Sequence, residues 1–314
     1  MVDKLYDVVI IGSGPAGVAA AIYCKRFALS TLLVGEAYGG AIARTHLIEN
    51  YPGFVSGSGY DLMEDWRKNL EKLDIELVDD YVGEISRDED GKFSLKMDFE
   101  GDVKAYSIIY CAGTEERKLG VPGEEKLHGR GVSYCATCDG AFFKGKIIGV
   151  VGGSDSAAKE ALFLSNFGKK VYIIYRREKI RAEPINIERV ENCDEIEIIN
   201  NTNVVEIYGE NKVEGVVLDN GERFPLDGLF IEIGAIPQSD LSKTVGVKTD
   251  ENGYIIVDEQ MQTNVPGFFA AGDVVNRREK QVVVAAGHGA VAAFSAREYV
   301  DENCAYSCNI PQER

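Results

Sequence analysis

One short unit occurs twice in this sequence and limits what the chain can fold into: an apolar run, a glycine-rich turn and a small-residue helix. In the first copy, residues 7–11 (Asp-Val-Val-Ile-Ile) read as a buried strand. Gly12, Ser13, Gly14, Pro15, Ala16 and Gly17 then turn the chain, and residues 18–27 continue as an alanine-rich helix. The second copy starts at residues 146–151, turns at Gly152, Gly153, Ser154, Asp155, Ser156 and Ala157, and continues as a helix to about Asn166, with Gly168 as its stop. The first copy fits G-x-G-x-x-G, whereas Ser154 stands at the middle glycine of the second.

Each glycine of this pattern has a mechanical reason. The first permits a tight turn, the second lets backbone N–H groups approach a pyrophosphate, and the third lets the helix lie close to the sheet. The helix N-terminus then holds the negative charge. Strand, turn and helix in this order build a parallel sheet covered by helices. Two copies therefore predict an α/β chain of two Rossmann-like, three-layer nucleotide-binding domains. The 314 residues suit two packed domains, and 45% hydrophobic residues supply enough core to exclude a disordered chain.

The residue after each second strand separates the two turns. Glu36 lies 22 residues after Gly14, and Arg176 lies 22 residues after Ser154. An acid at that offset suits a free ribose 2′-hydroxyl, while arginine suits a 2′-phosphate through bidentate charged hydrogen bonds. Arg176, Arg177 and Arg181 form a candidate clamp; the other reading of the same arginines is a solvated basic start to a loop. Two further strands end at small-residue turns, residues 107–114 with Ala112 and Gly113, and residues 267–273 with Gly272 and Asp273. A helix from about Gln281 to Tyr299 follows the latter. Because the second unit lies between these strands, it is expected to be inserted into the first: residues 1–114 and 244–314 form one domain and 115–243 the other, with two chain crossings as a hinge.

Seven cysteines, Cys24, Cys111, Cys135, Cys138, Cys193, Cys304 and Cys308, are scattered through the chain. An odd count without an export signal predicts thiols rather than a secreted disulfide framework. The exception is Cys135-Ala-Thr-Cys138, whose spacing allows a reversible disulfide and often lowers one thiol pKa. A zinc site would need two more ligands, and His46, His128 and His288 form no paired motif, so no metal is expected. Asp139 either exchanges a proton as the disulfide opens or caps the turn. Cys304 and Cys308 sit in a polar tail and invite comparison with a second redox pair.

A formal net charge of −17 disfavours nucleic acid and anionic lipid as partners. The apolar run at residues 8–11 is broken by the first glycine turn, too early for an export core or a membrane span, so a cytoplasmic protein is expected.

Across essentially its whole length the chain resembles the low-molecular-weight thioredoxin reductases. The residues that carry the resemblance are the first glycine turn, Glu49-Asn-Tyr-Pro-Gly53, Cys135-Ala-Thr-Cys-Asp139, Arg176-Arg177 with Arg181, and Ala271-Gly-Asp273. In the related branch that includes lipoamide dehydrogenase the cysteine pair follows the first fingerprint, and here residues 38–60 contain no cysteine. No further thioredoxin-like domain is expected before Tyr6.

The resemblance implies FAD on the discontinuous domain, held by the first turn, Gly35, Glu36, Gly39, Gly40, Ala41, Ile42, Asn50, Val82, Ala112, Gly113, Gly272, Asp273, Lys280, Gln281 and Val282. It implies NADPH on the inserted domain, held by the second turn and the three arginines, and a homodimer. Electrons would pass from NADPH through flavin to Cys135–Cys138, with Cys138 facing the flavin, and on to thioredoxin or a similar small protein, as the inserted domain rotates on its linkers.

Four positions depart from the family pattern. Ala41 stands where glutamine is usual, Tyr175 replaces a histidine, Lys280-Gln281-Val282 replaces Arg-Gln-Ala, and Ser154 replaces glycine. They leave NADH, a reduced deazaflavin or ferredoxin as alternative donors. A flavin reductase with another acceptor and a non-catalytic redox sensor are the rival functions.

Overall fold

The computed structural model describes residues 4–45, 48–99 and 101–303. Strand β1 (Lys4–Ile11) leads through the first glycine turn into helix α1 (Pro15–Arg26) and strand β2 (Thr31–Val34). Helix α2 (Gly59–Lys72) and strands β3 (Glu76–Val78), β4 (Val82–Arg87), β5 (Phe93–Met97), β6 (Val103–Tyr110) and β7 (Thr114–Glu116) follow. Next come α3 (Glu124–Leu127), β8 (Val132–Ser133), α4 (Ala136–Asp139), β9 (Ile147–Val151), α5 (Asp155–Ser165), β10 (Lys170–Ile174), α6 (Pro184–Glu191) and β11 (Ile196–Ile199). Strands β12 (Val204–Tyr208), β13 (Gly215–Leu218), β14 (Arg223–Pro225), β15 (Gly228–Ile231) and β16 (Ala235–Pro237) precede α7 (Asp240–Lys243), β17 (Phe268–Ala270) and α8 (Val282–Asn303).

Residues up to Glu115 and from Pro237 onward form one compact unit, and Glu116–Ile236 form the second. Strands β7 and β16, at the two chain crossings, pair with each other. The return therefore comes seven residues ahead of the position expected from sequence. Helix α7 belongs with the first unit because it packs on β4, and the Thr244 hydroxyl just after it donates to the Ile85 carbonyl at 3.0 Å.

In the first unit the strand order is β3-β2-β1-β6-β5-β4, with β17 added on β6. Strand β1 is parallel to both neighbours, Ile10 lying opposite Leu33 on one side and Ile109 on the other. Residues 8–11 are buried on both faces, which explains their unbroken apolar run. Strand order reverses at β1, so the chain leaves β1 for α1 at the crevice where ligands of such sheets bind. Helix α1 starts at Pro15, three residues ahead of the sequence reading, because proline is well suited to the first helical position. Helix α8 packs on α1 so closely that a Cβ at Gly289 would lie 2.0 Å from the Ala16 carbonyl oxygen.

The second unit repeats the logic with a parallel sheet in the order β11-β10-β9-β15-β8, with β9 between β10 and β15. A separate antiparallel sheet, β12-β13-β14, completes it. The fold is thus α/β, with two nested Rossmann-like sheets. No helix among the described residues is long and apolar enough to cross a membrane. His46, Cys304 and Cys308 lie outside the described residues.

Candidate active site: a redox dithiol and two glycine turns

Cys135 and Cys138 are joined by a disulfide across the four-residue helix α4. Cys135 is the N-cap, and its sulfur accepts a hydrogen bond from the Cys138 N–H at 3.2 Å. The Asp139 N–H donates to the Cys135 carbonyl at 3.2 Å, closing the turn. Cys138 is exposed, while Cys135 and Asp139 are half-buried. The approach to this turn is pinned by a residue that sequence reasoning missed. Glu124, 2% exposed, accepts hydrogen bonds from the Leu119 and Gly120 N–H groups and from the Tyr134 hydroxyl, which precedes Cys135. Burial alone would raise the Glu124 pKa, but these donors outweigh it and hold the carboxyl below its usual range. The sequence offers no signal for Glu124 beyond its position in an acidic pair.

The other described cysteines are poor nucleophiles or lie apart from the dithiol. Burial pushes the Cys24 thiol up to about 12 and raises that of Cys111 as well. Cys193 donates to Glu195 at 3.4 Å. No group of three or more His, Cys, Asp or Glu among the described residues is arranged to hold a metal ion.

The first glycine turn brings its sequence-predicted partners together through backbone contact. Gly12 has φ +106°, and a Cβ there would lie 2.2 Å from the Cys111 carbonyl oxygen; a Cβ on Gly17 would lie 1.8 Å from the Gly12 oxygen. Gly14 caps α1 without any side-chain hydrogen bond, and the nearest atom to a Cβ built there is 3.8 Å away. The start of α1 thus carries no capping side chain, and Gly14 has open space on its Cβ side. Gly35 abuts Ser13, the Gly39 N–H donates to the Ser13 carbonyl at 3.0 Å, and Gly40 lies against Gly14. Ala41 and Ile42 follow in the short 3₁₀ turn Gly40–Arg44, and Glu36 is exposed beside Gly35.

The C-terminal return reaches the same place. A Cβ on Gly272 would come 2.9 Å from that of Ala16, and the Asn50 amide donates to Gln281 at 3.1 Å. The Asp273 carboxylate makes no hydrogen bond or ion pair with the described residues. Burial raises its pKa, with nearby Lys280 opposing. Lys280 itself folds back: its ammonium donates to the Asp273 and Val275 carbonyls, both at 2.8 Å, and sits 4.3 Å from the Tyr254 ring centroid. Gly113 follows β6 with φ +69°. Val82 differs from the rest, since it opens the edge strand β4 with its side chain buried and Met97 as its strand partner.

The second turn is built differently. A Cβ on Gly152 would lie 2.2 Å from the Glu232 carbonyl oxygen, and the Tyr175 ring covers Gly153, 2.4 Å from where a Cβ would be. The Ser154 hydroxyl caps α5 by accepting from the Ala157 N–H at 3.4 Å. The Asp155 carboxylate accepts from the Glu183 N–H at 2.9 Å and the Asn186 amide at 2.8 Å, and it pairs with Lys159 at 2.8 Å. Both side chains are therefore committed within the protein, leaving backbone groups of the turn for a ligand. Arg181 is stitched to the turn by its N–H, which donates to the Gly153 carbonyl at 2.6 Å, and its Nε donates to the Tyr175 hydroxyl at 3.2 Å. Arg176, Arg177 and Arg181 are exposed and form no ion pair among the described residues.

A family description, pyridine nucleotide-disulphide oxidoreductase, matches residues 6–289. The chain is 44% identical over 308 residues to the thioredoxin reductase of Bacillus subtilis, with 96% of each chain covered. It is equally similar to that of Listeria innocua, covering 96% of this chain and 95% of the relative. Among solved structures, thioredoxin reductase from Lactococcus lactis matches with a TM-score of 0.91 at 41% identity, covering 95% of this chain and 99% of that one. The thioredoxin reductase of T. acidophilum matches at 0.89 and 36% identity, over 94% and 99%. The chain belongs to the pyridine nucleotide-disulphide oxidoreductases, in their low-molecular-weight thioredoxin reductase branch.

Membership of the thioredoxin reductases implies a flavin and a nicotinamide cofactor, and it makes Cys135–Cys138 the redox-active pair. The two glycine turns present surfaces with different chemistry. In the first, bare backbone and a half-buried acid without a partner among the described residues are available. In the second, backbone is available beside three exposed guanidinium groups without ion-pair partners among the described residues, that of Arg181 held at Nε by Tyr175.

Proposed function

We propose that this reductase takes electrons from NADPH, passes them through FAD held on the first unit, and delivers them by Cys135–Cys138 to thioredoxin. The observation that carries the reading is a surface disulfide in the same unit as a glycine turn flanked by Arg176, Arg177 and Arg181 without ion-pair partners. Three unpaired guanidinium groups suit the 2′-phosphate that distinguishes NADPH from NADH.

The first turn fits FAD by its own chemistry. The uncapped start of α1 beside Gly14 suits a pyrophosphate, and exposed Glu36 suits a ribose hydroxyl. Asp273, half-buried and without a partner among the described residues, would accept a ribitol hydroxyl, while Asn50 and Gln281 already meet on the same unit. When bound, FAD relays an electron pair from the nicotinamide to the disulfide.

The remaining chemistry belongs to the turn itself. Two electrons break the sulfur–sulfur bond, and protons from solvent leave one thiol and one thiolate. The Cys138 N–H already points at the Cys135 sulfur and would stabilise negative charge there, which supports Cys135 as the attacking thiolate and Cys138 as the sulfur on the flavin side. Attack on the thioredoxin disulfide forms a mixed disulfide and expels a partner thiolate, which Asp139 would protonate. Cys138 then returns its thiol proton to Asp139, displaces the second partner sulfur as a thiolate and restores Cys135–Cys138. A cleft of about 290 Å³ next to this turn, lined by Asp139, Phe142, Arg130 and Lys212, offers a partner surface on which Phe142 is 79% exposed. A homodimer is part of this reading.

The test is an absorption spectrum followed by separate anaerobic additions of NADPH, NADH and reduced ferredoxin. NADPH should bleach the flavin and open the disulfide. In Cys138→Ser the flavin should still bleach while thioredoxin reduction falls at least 10³-fold, on the order of the loss when a unit of covalent catalysis is removed. Colourless protein that cannot take up flavin, or undiminished thioredoxin reduction by the variant, overturns the proposal.

A further inference from the structure

Asp155 is the first residue of α5, and its carboxylate ties the second glycine turn to the segment that carries the three arginines. That segment, residues 176–183, runs from β10 to α6 and has four tethers. The Arg177 carbonyl accepts from the Asn201 N–H at 3.1 Å, Ile180 is buried in the core, the Arg181 N–H reaches the Gly153 carbonyl, and the Glu183 N–H donates to Asp155 Oδ1 at 2.9 Å. The fourth differs from the others in being made by a charged side chain. The same Oδ1 accepts from the Asn186 amide at 2.8 Å, and Oδ2 pairs with Lys159, one turn along α5, at 2.8 Å. Glu183 is the N-cap of α6 and Asn186 its third residue. In a capping box the side chain at that third position takes the N-cap N–H. Here Asp155 takes both that N–H and the Asn186 amide, from another helix.

Burial raises the Asp155 pKa, but Lys159, the Asn186 amide and the Glu183 N–H outweigh it and hold the carboxyl below its usual range, so it is ionised at neutral pH. A carboxylate at the start of a helix opposes a second anion there, because both draw on the same positive end. By charge alone, then, Asp155 weakens the binding of a nucleotide phosphate at this turn. We propose that Asp155 is a positioning residue for the nucleotide: its bonds to Glu183 and Asn186 latch the arginine segment onto the glycine turn, and through Arg181 the latch sets the preference for a 2′-phosphate. Arg181 lies two residues before Glu183 and pairs with Ser154 as an isolated parallel bridge, so release of Glu183 frees the end of the chain that presents its guanidinium. The preference rests on the NADPH reading above, whereas the latch itself does not.

The test reads binding and not turnover. Oxidised holoenzyme is titrated calorimetrically with NADP⁺ and, separately, with NAD⁺. Asp155→Ala should raise Kd for NADP⁺ about tenfold, the low end of the loss of a hydrogen bond to a charged group, and leave Kd for NAD⁺ within about twofold. Asp155→Asn removes the same charge but keeps an acceptor for Glu183 and Asn186, so it should bind NADP⁺ about as tightly as wild type, or more tightly. Glu183→Pro deletes the donor while Asp155 stays in place, on a backbone whose φ of −59° already suits proline, and should raise Kd for NADP⁺ about threefold because the Asn186 bond remains. Charge and latch act with opposite sign. Tighter NADP⁺ binding by Asp155→Ala, an equal loss for both nucleotides, or an Asn variant as weak as Ala overturns the proposal. Limited trypsin digestion without nucleotide reads the latch directly, as cleavage after Arg176, Arg177, Lys179 and Arg181 relative to the rest of the chain. Asp155→Ala should be cut there about fivefold faster than wild type or Asp155→Asn, and equal rates in all three overturn the latch. Faster cutting of Asp155→Ala with no preference for NADP⁺ in wild type refutes the NADPH reading and leaves the latch standing.

Discussion

Gly17→Ala adds a single methyl group at the third glycine of the first turn, and the structure states where it would go. The Cβ would lie 1.8 Å from the Gly12 carbonyl oxygen, about 1.2 Å inside the 3.0 Å that real Cβ atoms respect. The obstacle is backbone at a turn whose own glycine abuts the Cys111 carbonyl, so α1 must move away from β1 rather than a side chain rotating aside. Overpacking a well-filled site costs about 1–3 kcal/mol, and a backbone obstacle belongs at the upper end. At roughly 2–4 °C per kcal/mol for a unit of this size, Tm should fall by about 6–12 °C. The same displacement shifts the uncapped start of α1 beside Gly14, so flavin content measured at 450 nm should drop by more than half. The second turn provides an internal control: Ala157 occupies the matching position, so a methyl group is accommodated between α5 and β9. Ala157→Gly should cost only about 1 kcal/mol of helix propensity and leave flavin content unchanged. Full flavin content in Gly17→Ala with Tm within 2 °C of wild type would refute the reasoning that backbone contact at this glycine sets the cofactor surface.

Tyr175→Phe removes the hydroxyl that holds Arg181 Nε while keeping the ring over Gly153. Loss of about 1 kcal/mol of ordering should raise KM for NADPH roughly fivefold and leave KM for NADH within twofold; equal changes for both would refute the role of Tyr175 in presenting Arg181. For Glu124, the folded pKa lies below the unfolded one, so its stabilisation is present above the ordinary value of 4.5 and is lost as pH falls through the folded value. Glu124→Gln should therefore lower Tm at pH 7 by about 2–6 °C, from roughly 1–1.5 kcal/mol of hydrogen bonding, and converge on wild type in acid. A constant gap down to pH 3 would count against the ionised form as the one that pins Tyr134.

Much of the architecture was legible because its signals are local. The buried run at residues 8–11, the glycine spacing and the Cys135–Cys138 spacing each express a constraint acting within a few residues, and the order of these segments sets the nesting of the two units. Element ends were less legible. Proline at residue 15 already allowed an earlier helix start, but nothing local marks the return at Pro237, which follows from α7 packing on β4. Within the candidate site, Ser154 and Asp155 look available in the sequence and are occupied in the structure, one by its own helix and the other by Glu183, Asn186 and Lys159. Lys280 reads as a ligand cation and proves to be tied to two carbonyls and an aromatic ring.

The amino-acid order by itself thus determined the class of fold, the presence of two glycine turns and the location of the redox sulfurs. Only the tertiary structure decided which side chains remain free to act. Whether Arg181 is held by Tyr175 and whether Asp273 is left without a partner among the described residues depend on groups brought together from distant parts of the chain. Glycine turns and C-x-x-C spacing are properties of neighbours along a backbone, whereas hydrogen-bond saturation and the desolvation of a carboxyl are properties of a packed volume.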